Sequence, residues 1–507
     1  MKYFHHLHDN NKIISKTLYF FVTFFYIFQC FKLNNYEIIF IDERLLIDDI
    51  YNIWLLDDTF GRFSNVDNKF LKNLLIFAAE ASYGGDLRYG RLWSNIFTFF
   101  IGPLSFFSDE IVITSSRLLN LFLLNLTFYI FSKTFITKKY FWLSMLAFLS
   151  LPGIEVLIRI PKPEVLSLLF VALGLQNYKN DKEIKSIFFL LIASFLKINF
   201  LVIFLFISFK IFTVSRNKVS FIFKNIGLTF LALVLVNPIL IIPPIKIFDF
   251  QLPNFYLSYY RWIFSQGTYG QDEVFSFLFF QNWLQDITLF YLIPKQLDLL
   301  GSILIVSLII FTSVKFYRND HTYSKLFLVI FLFYIIFYMF FIERQFLWYI
   351  TTPFIFLTLI VFMDYESNSK NIKVSTLIFL LGLVIGNISN ISEHYNNKVF
   401  IANYKLGYEE INTEEQALEL VGEVLFRIKS IYQQEKLLDK NKVLWNPNLF
   451  IPRNEVTYID HFYTREYWGP DDLNIILSEA DVYVTNEDLP SLSFNKVNVK
   501  NYYLFYK

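Results

Sequence analysis

Between residues 32 and 62 the chain reads KLNNYEIIFIDERLLIDDIYNIWLLDDTFGR, which sets Asp42, Glu43, Arg44, Asp48 and Asp49 shortly after the apolar run 13–31. Charge that close to hydrocarbon is costly unless it faces a polar cavity or has a use. Two uses suit carboxylates at the depth where a lipid-linked phosphate would sit. One carboxylate can deprotonate a hydroxyl that attacks a sugar carbon. Several together, such as Asp42, Glu43 and Asp49, can hold a divalent cation against a phosphate. Cations able to meet a phosphate or pyrophosphate leaving group through charge-assisted hydrogen bonds occur further on, at Arg88, Arg91, Arg117, Arg159 and Arg344. The plainer role of outer-face carboxylates is to balance nearby arginines and bias topology. Asp57 and Asp58, at a helix end before Gly61, read as surface charges.

The elements that must position these groups follow from periodicity. Over 42–57 the apolar residues Leu46, Ile50, Ile53 and Trp54 recur at helical spacing, which predicts a helix lying flat on the membrane. On this reading Asp49 and Asn52 point away from the apolar side, while Asp42 and Glu43 lie where the chain leaves the membrane. A second amphipathic stretch covers 69–81. The segment 88–107, with Arg88 and Arg91 at its start and Pro103 near its end, is expected at the outer surface rather than as a full span.

Composition supports this frame. Of 507 residues, 55% are hydrophobic and 18% charged, with 63 Phe, against about 25% charged in a soluble protein. The charges sit in clumps between long apolar runs, so the chain reads as an integral membrane protein. A net charge of +1 and the absence of a Lys/Arg tract give no sign of nucleic-acid binding. The single cysteine, Cys30, excludes an intrachain disulfide. The first run is longer than a signal-peptide core and no small-residue cleavage site follows it, so it reads as a retained anchor.

Apolar runs at 13–31, 111–132, 140–158, 164–176, 186–196, 198–213, 224–245, 297–314, 326–342, 344–363 and 374–391 predict eleven crossings. Every lysine-rich turn then falls on one side: Lys133, Lys138 and Lys139; Lys179, Lys182 and Lys185; Lys210, Arg216 and Lys218; Lys315, Arg318 and Lys325; Lys370 and Lys373. By the positive-inside rule that side is cytoplasmic. The N-terminus is then inside, and the first loop 32–110, the aromatic-rich loop 246–296 and the tail 392–507 are outside. A full span at 88–107 would reverse everything after it.

The paired runs 140–158 with 164–176, and 186–196 with 198–213, include segments too short for a hydrocarbon core of about 30 Å. Their extension by Arg159, Lys162, Glu164 and Lys197 predicts the rim of an internal cavity opening outward, the alternative being anchors that snorkel to the interface. In the tail, 411–431 reads as a soluble helix, and NKVLW, EVTYID and ADVYVT read as strands. The expected architecture is therefore an all-α polytopic membrane module over 1–391, with outer-face juxtamembrane helices, and a small extracytoplasmic α/β domain over 392–507.

In its ordered motifs the chain resembles the multi-spanning glycosyltransferases of the GT-C class. The nearest likeness is to the group containing the aminoarabinose transferase of lipid A modification, the protein mannosyltransferases and the RgtA-B-C-D-like bacterial enzymes. The motifs are the Asp42–Glu43 pair, Arg117 in SSRLLNLFLLNLTFYIF, the hairpin from Arg159 to Glu164, Lys197 in FLKINF, and Arg344 followed by aromatics and Pro353. Together they cover about the first 360 residues.

The resemblance implies a polyprenyl-phosphate sugar donor loaded from the outer face of a bacterial plasma (inner) membrane, no nucleotide sugar, and inversion at the anomeric carbon. It implies Asp42 or Glu43 as catalytic base, and Lys197 with Arg117, Arg159 and Arg344 near the donor phosphate. The acceptor is an envelope lipid, glycan or protein. Where family members often carry a His-Pro-Pro-Leu-type run this chain reads GGDLRYGRLW, so Asp86, Arg88 and Arg91 stand as acceptor contacts. Asp49, Lys162 and Glu164 join them as acceptor contacts or structural support. Two other readings use a similar bundle. A glycan polymerase or ligase would place its key residues in a large late outer loop. A lipid-linked glycan transporter should show internal repeats and broken helices near mid-membrane, and neither is evident in the sequence.

Overall fold

The computed structural model describes residues 2–32, 41–55, 66–83, 90–107, 109–151, 153–159, 161–238, 322–341, 347–363, 423–424, 426–428, 430–431, 442–446, 463–466, 472–485, 487–490, 493–499 and 502–506. Two compact units make up the chain: Met1–Lys32 with Leu45–Asn390, and Leu33–Arg44 with Ile391–Lys507.

The first unit is helical. Its early helices are α1 (Lys2–Lys32), α2 (Ile41–Trp54, divided between the units), α3 (Lys69–Tyr83) and α4 (Arg91–Ile101), the last continued by a 3-10 turn over Gly102–Phe106. Then come α5 (Asp109–Phe135), α6 (Phe141–Leu149), α7 (Ile154–Arg159), α8 (Pro163–Lys179) and α9 (Glu183–Leu196). A 3-10 turn over Ile198–Phe200 leads to α10 (Leu201–Val214), followed by α11 (Lys218–Val236), α12 (Thr322–Phe341) and α13 (Leu347–Met363).

Among the described residues three apolar stretches are long enough to cross a membrane: Ile13–Phe31 of α1, Ile111–Phe135 of α5 and Lys218–Val236 of α11. Shorter apolar helices occupy Ile198–Val214, Tyr323–Tyr338 and Thr351–Met363. On the long stretches Phe21, Phe24, Phe122, Phe223 and Phe230 point outward and are exposed, an aggregating surface in water but a compatible one in lipid. The described part of the segment 88–107 is not among these stretches. Its helix has 11 residues, about 16 Å at 1.5 Å per residue, and the chain then tightens into the 3-10 turn. The runs 297–314 and 374–391 and the loop 246–296 lie outside the described residues.

Side-chain contacts fix which helix ends lie together. At one end, the start of the apolar stretch of α1 meets the start of α6, with Lys16 over the Trp142 ring at 5.5 Å and Tyr19 against it at 5.4 Å. At the same end the close of α8 meets the close of α5, where Lys179 donates to the Thr134 carbonyl and lies 5.3 Å from the Phe135 ring. Tyr323 at the start of α12 packs on Phe135 and Tyr178, and Lys210 sits over Tyr178. The described basic turns therefore gather at this end. At the other end the start of α8 meets the close of α9, and α4 begins against the close of α11.

The run 140–158, expected as one crossing, is two helices. The sequence Leu151-Pro152-Gly153 interrupts it: proline has no N–H to offer the helix, and Gly153 adopts φ 77°, open to glycine at little cost. Breaking a helix inside a bundle frees carbonyls that lipid cannot satisfy. Here the Tyr26 hydroxyl donates to the Leu149 carbonyl at 3.1 Å, and the Asn120 amide donates to the Leu157 carbonyl. Tyr26 of α1 thus stabilises the break between α6 and α7, and Asn120 of α5 supports the C-terminal end of α7.

In the second unit, β1 (Lys442–Trp445), β2 (Tyr463–Glu466), β3 (Val482–Thr485), β4 (Asn495–Val499) and β5 (Tyr502–Tyr506) form one sheet in the order β2-β1-β3-β5-β4. β1 pairs in parallel with both β2 and β3, while β5 is antiparallel to β3 and β4. Parallel pairing needs a crossover, and α14 (Leu473–Glu479) stands between β2 and β3. Its N-terminus is capped by the Asp472 carboxylate, which accepts from the Asn474 N–H at 2.9 Å. Leu473, Ile476 and Leu477 of α14 pack with Leu444, Tyr483 and Phe505 of the sheet. NKVLW and ADVYVT supply β1 and β3 as expected, whereas EVTYID lies outside the described residues. Of the helix expected at 411–431, the described residues from 423 onward are helical, and Val424, Ile428 and Ile431 are buried at helical spacing.

Candidate active site

Asp42 and Glu43 fall in the first turn of α2; their side chains, like that of Arg159 at the end of α7, lie outside the described residues. Asp86, Arg88 and Arg344 lie outside them as well. The geometry of the site therefore rests on Asp49, Arg91, Arg117, Lys162, Glu164 and Lys197.

Asp49 does not face away from the apolar side of α2. It is buried with Leu46, Ile50 and Ile53, because it stands three residues after Leu46 and four before Ile53, on the same helical face. Burial of the carboxylate is offset by Arg91, the first residue of α4, whose Nη1 lies 2.5 Å from Asp49 Oδ2. The same guanidinium donates through Nε to the Ala81 carbonyl of α3 at 3.5 Å, and Asn95 donates to that carbonyl at 3.1 Å. One ion pair thus ties α2, α3 and α4 together. Arg91, expected as an acceptor contact or structural support, acts as the staple of this platform, with one oxygen of Asp49 committed to it. Among the described residues no three His, Cys, Asp or Glu side chains come together as a metal site.

Two glycines let the platform close. Gly90, just before α4, has φ 69°, and a Cβ there would lie 2.3 Å from Val236 Cγ1 at the end of α11. At Gly102 a Cβ would lie 2.8 Å from the Trp54 ring of α2. Trp54 also packs edge-on to Phe106, with ring centroids 6.4 Å apart.

The second cluster joins α8 to α9. Lys197, the residue that ends α9, places Nζ 2.8 Å from Glu164 Oε1 in the first turn of α8. Lys162, immediately before α8, is 1% exposed, and the Glu164 side chain 7% exposed. Lys162 and Glu164 are buried and Lys197 is largely covered at this end of the bundle, with its ammonium turned to Glu164. The pairing explains the difference, since each charge can leave water only with the other beside it. The second oxygen of Glu164, Oε2, is buried without a hydrogen-bond partner among the described residues. Arg117, in the upper part of α5, is fully buried, one turn before the Asn120 that supports α7.

Sequence reasoning missed the groups that hold Lys197 from behind. Tyr334 of α12 donates its hydroxyl to the Asn199 carbonyl at 2.8 Å, and the Asn199 amide donates to the Tyr338 hydroxyl at 3.4 Å. Asn199 lies in the 3-10 turn that directly follows Lys197. Both tyrosines are buried in an aromatic-rich helix, where nothing in the pattern distinguishes them from packing residues. A comparable miss is Tyr26, for which the Pro152-Gly153 dipeptide was the available signal.

Comparison with protein-family models, with curated proteins and with solved structures finds no match to this chain.

Proposed function

We propose that the chain is an integral membrane glycosyltransferase that moves a sugar from a polyprenyl-phosphate donor to an envelope lipid, glycan or protein. Transfer takes place at the extracytoplasmic face of a bacterial plasma membrane, with inversion at the anomeric carbon. In this reading the chain crosses the membrane eleven times, and the end that gathers the basic turns faces the cytoplasm. The C-terminal unit lies outside. The observation that carries the reading is the burial of Asp49–Arg91 and Glu164–Lys197 at the end of the bundle away from the basic turns. Intramembrane charge is kept where it serves a function.

The chemistry follows from the residue types. Asp42, or its neighbour Glu43, takes the proton of the acceptor hydroxyl as that oxygen attacks the anomeric carbon. The bond from that carbon to the phosphate oxygen breaks on the opposite face, and the phosphate leaves with its charge met by Lys197, Arg117, Arg159 and Arg344. The donor carries its own leaving group, so no covalent enzyme intermediate is required. Glu164 Oε2 has capacity to accept a hydrogen bond from a sugar or acceptor hydroxyl. A divalent cation held by Asp42 and Glu43 is the alternative use of the same oxygens.

The break between α6 and α7 favours a second reading, a transporter of lipid-linked glycan, since discontinuous helices line such pathways. Against it, the Leu149 carbonyl at the break is already taken by Tyr26. One assay separates the two: purified protein in lipid vesicles, given a panel of polyprenyl-phosphate sugars and acceptors. Transfer with release of polyprenyl phosphate supports the first reading. Movement of the intact donor between leaflets without transfer supports the second. Turnover of a nucleotide sugar with no lipid carrier refutes the donor assignment.

A further inference from the structure

We infer that Tyr334 and Tyr338 of α12 are positioning residues for Lys197, setting its ammonium where a donor phosphate is met; this rests on the reading of Lys197 given under Proposed function. Lys197 has an extended backbone, φ −149° and ψ 115°, at the junction where α9 stops and the 3-10 turn begins. Its N–H closes α9 by donating to the Ala193 carbonyl at 3.0 Å, and its carbonyl accepts from the Phe200 N–H at 3.0 Å. A two-residue slip of the turn would therefore move the lysine directly. The turn is clamped from α12 at both the carbonyl and the amide of Asn199. The tyrosines brace one another with ring centroids 5.7 Å apart, and Tyr334 stacks on Phe356 of α13 at 6.4 Å. The clamp thus runs from α13 through α12 to the residue beside the cation. The side chain of Lys197 is held by Glu164 of α8 at 2.8 Å.

A residue that only supports packing would affect all ligands of the bundle alike, whereas a residue that aims an ammonium would affect the charged ligand selectively. The probes are polyprenyl monophosphate and the matching uncharged polyprenol, their affinities measured for the full chain in lipid nanodiscs. Tyr334→Phe keeps the ring stack and removes only the hydroxyl. It is expected to weaken monophosphate binding about fivefold, the scale of one buried hydrogen bond, and to leave polyprenol binding unchanged. Lys197→Met is expected to weaken monophosphate binding more, and adding Tyr334→Phe to it should bring no further loss. If Tyr334→Phe does not fold, Tyr338→Phe, which loses the longer contact, is measured with the same expectation of selectivity. An intact monophosphate affinity in the tyrosine variant, equal losses for both probes, or additive losses in the double variant overturns the positioning role while Lys197 keeps its own. An unchanged affinity in Lys197→Met overturns the phosphate reading of that lysine and this inference with it.

Discussion

Asp49→Asn is the most informative single substitution in the bundle, because it separates the staple of the platform from the proposed catalytic turn on the same helix. The ion pair it breaks has its atoms 2.5 Å apart, with side chains 1% and 5% exposed. At that separation and an effective dielectric of about 20, attraction is about 7 kcal/mol. Withdrawing each ion from water costs several kcal/mol, so the intact pair contributes little net stability. Removing one member is different, since the partner stays buried with its charge uncompensated, a loss of about 3–5 kcal/mol. Asp49→Asn and Arg91→Met should each destabilise by that amount. Asp49→Leu combined with Arg91→Met should be within about 1 kcal/mol of the parent, because apolar residues of similar volume can replace a buried pair. Reversible unfolding in mixed micelles, run as a double-mutant cycle, gives the coupling directly. Additive losses, or single variants as stable as the parent, would refute the staple. Turnover adds a second check: activity lost in Asp49→Asn should return in the stable double variant if Asp49 only holds the platform.

Three further outcomes follow. Gly90→Ala should lower stability by about 2–4 kcal/mol through the positive φ and the clash with Val236, and pairing it with Val236→Ala should recover only part; thermal unfolding of both variants checks this. Asp42→Asn should leave stability near the parent while reducing turnover by at least about 100-fold, and full activity in both Asp42→Asn and Glu43→Gln would remove the base from this turn. Single cysteines placed at exposed Asp67 and Lys182 in a background without Cys30 should label from opposite sides of a sealed membrane. Labelling from one side would undo the assignment of the two ends.

The gathering of the described basic turns at one end was legible because lysine-rich turns recur between apolar runs, and the contacts of Lys16, Lys179 and Lys210 put those turns together. The partnership of Glu164 with Lys197 was legible only as a shared level in the membrane. Their pairing depends on α8 and α9 packing antiparallel, which spacing alone does not state. Asp49 was misplaced because charge was taken as a sign of exposure, although its spacing from Leu46 and Ile53 put it on the buried face. The broken helix was hidden by hydropathy, which scores 140–158 as one run and gives Pro152-Gly153 too little weight. β4 and β5 were also missed: NKVNV has little apolar character and is half exposed, and YYLFY draws its strand identity from pairing with β3.

Helix ends explain why the paired charges stand where they do. Glu164 occupies the first turn of α8 and Lys197 ends α9, so the carboxylate sits at the positive end of one helix dipole and the ammonium at the negative end of another. Each charge is therefore supported twice, by its helix and by its partner. Arg91 is the contrary case, a cation at the start of α4, where the dipole opposes it and Asp49 supplies the opposite charge. Lys162 also precedes a helix N-terminus, and with α8 it raises the local positive potential that Glu164 offsets. Under the proposed chemistry an arriving phosphate competes with Glu164 for Lys197 at a place where the α8 dipole already favours an anion. Glu164 is then both the resting counter-charge and the group displaced when the donor binds, which ties stability and substrate binding to one carboxylate.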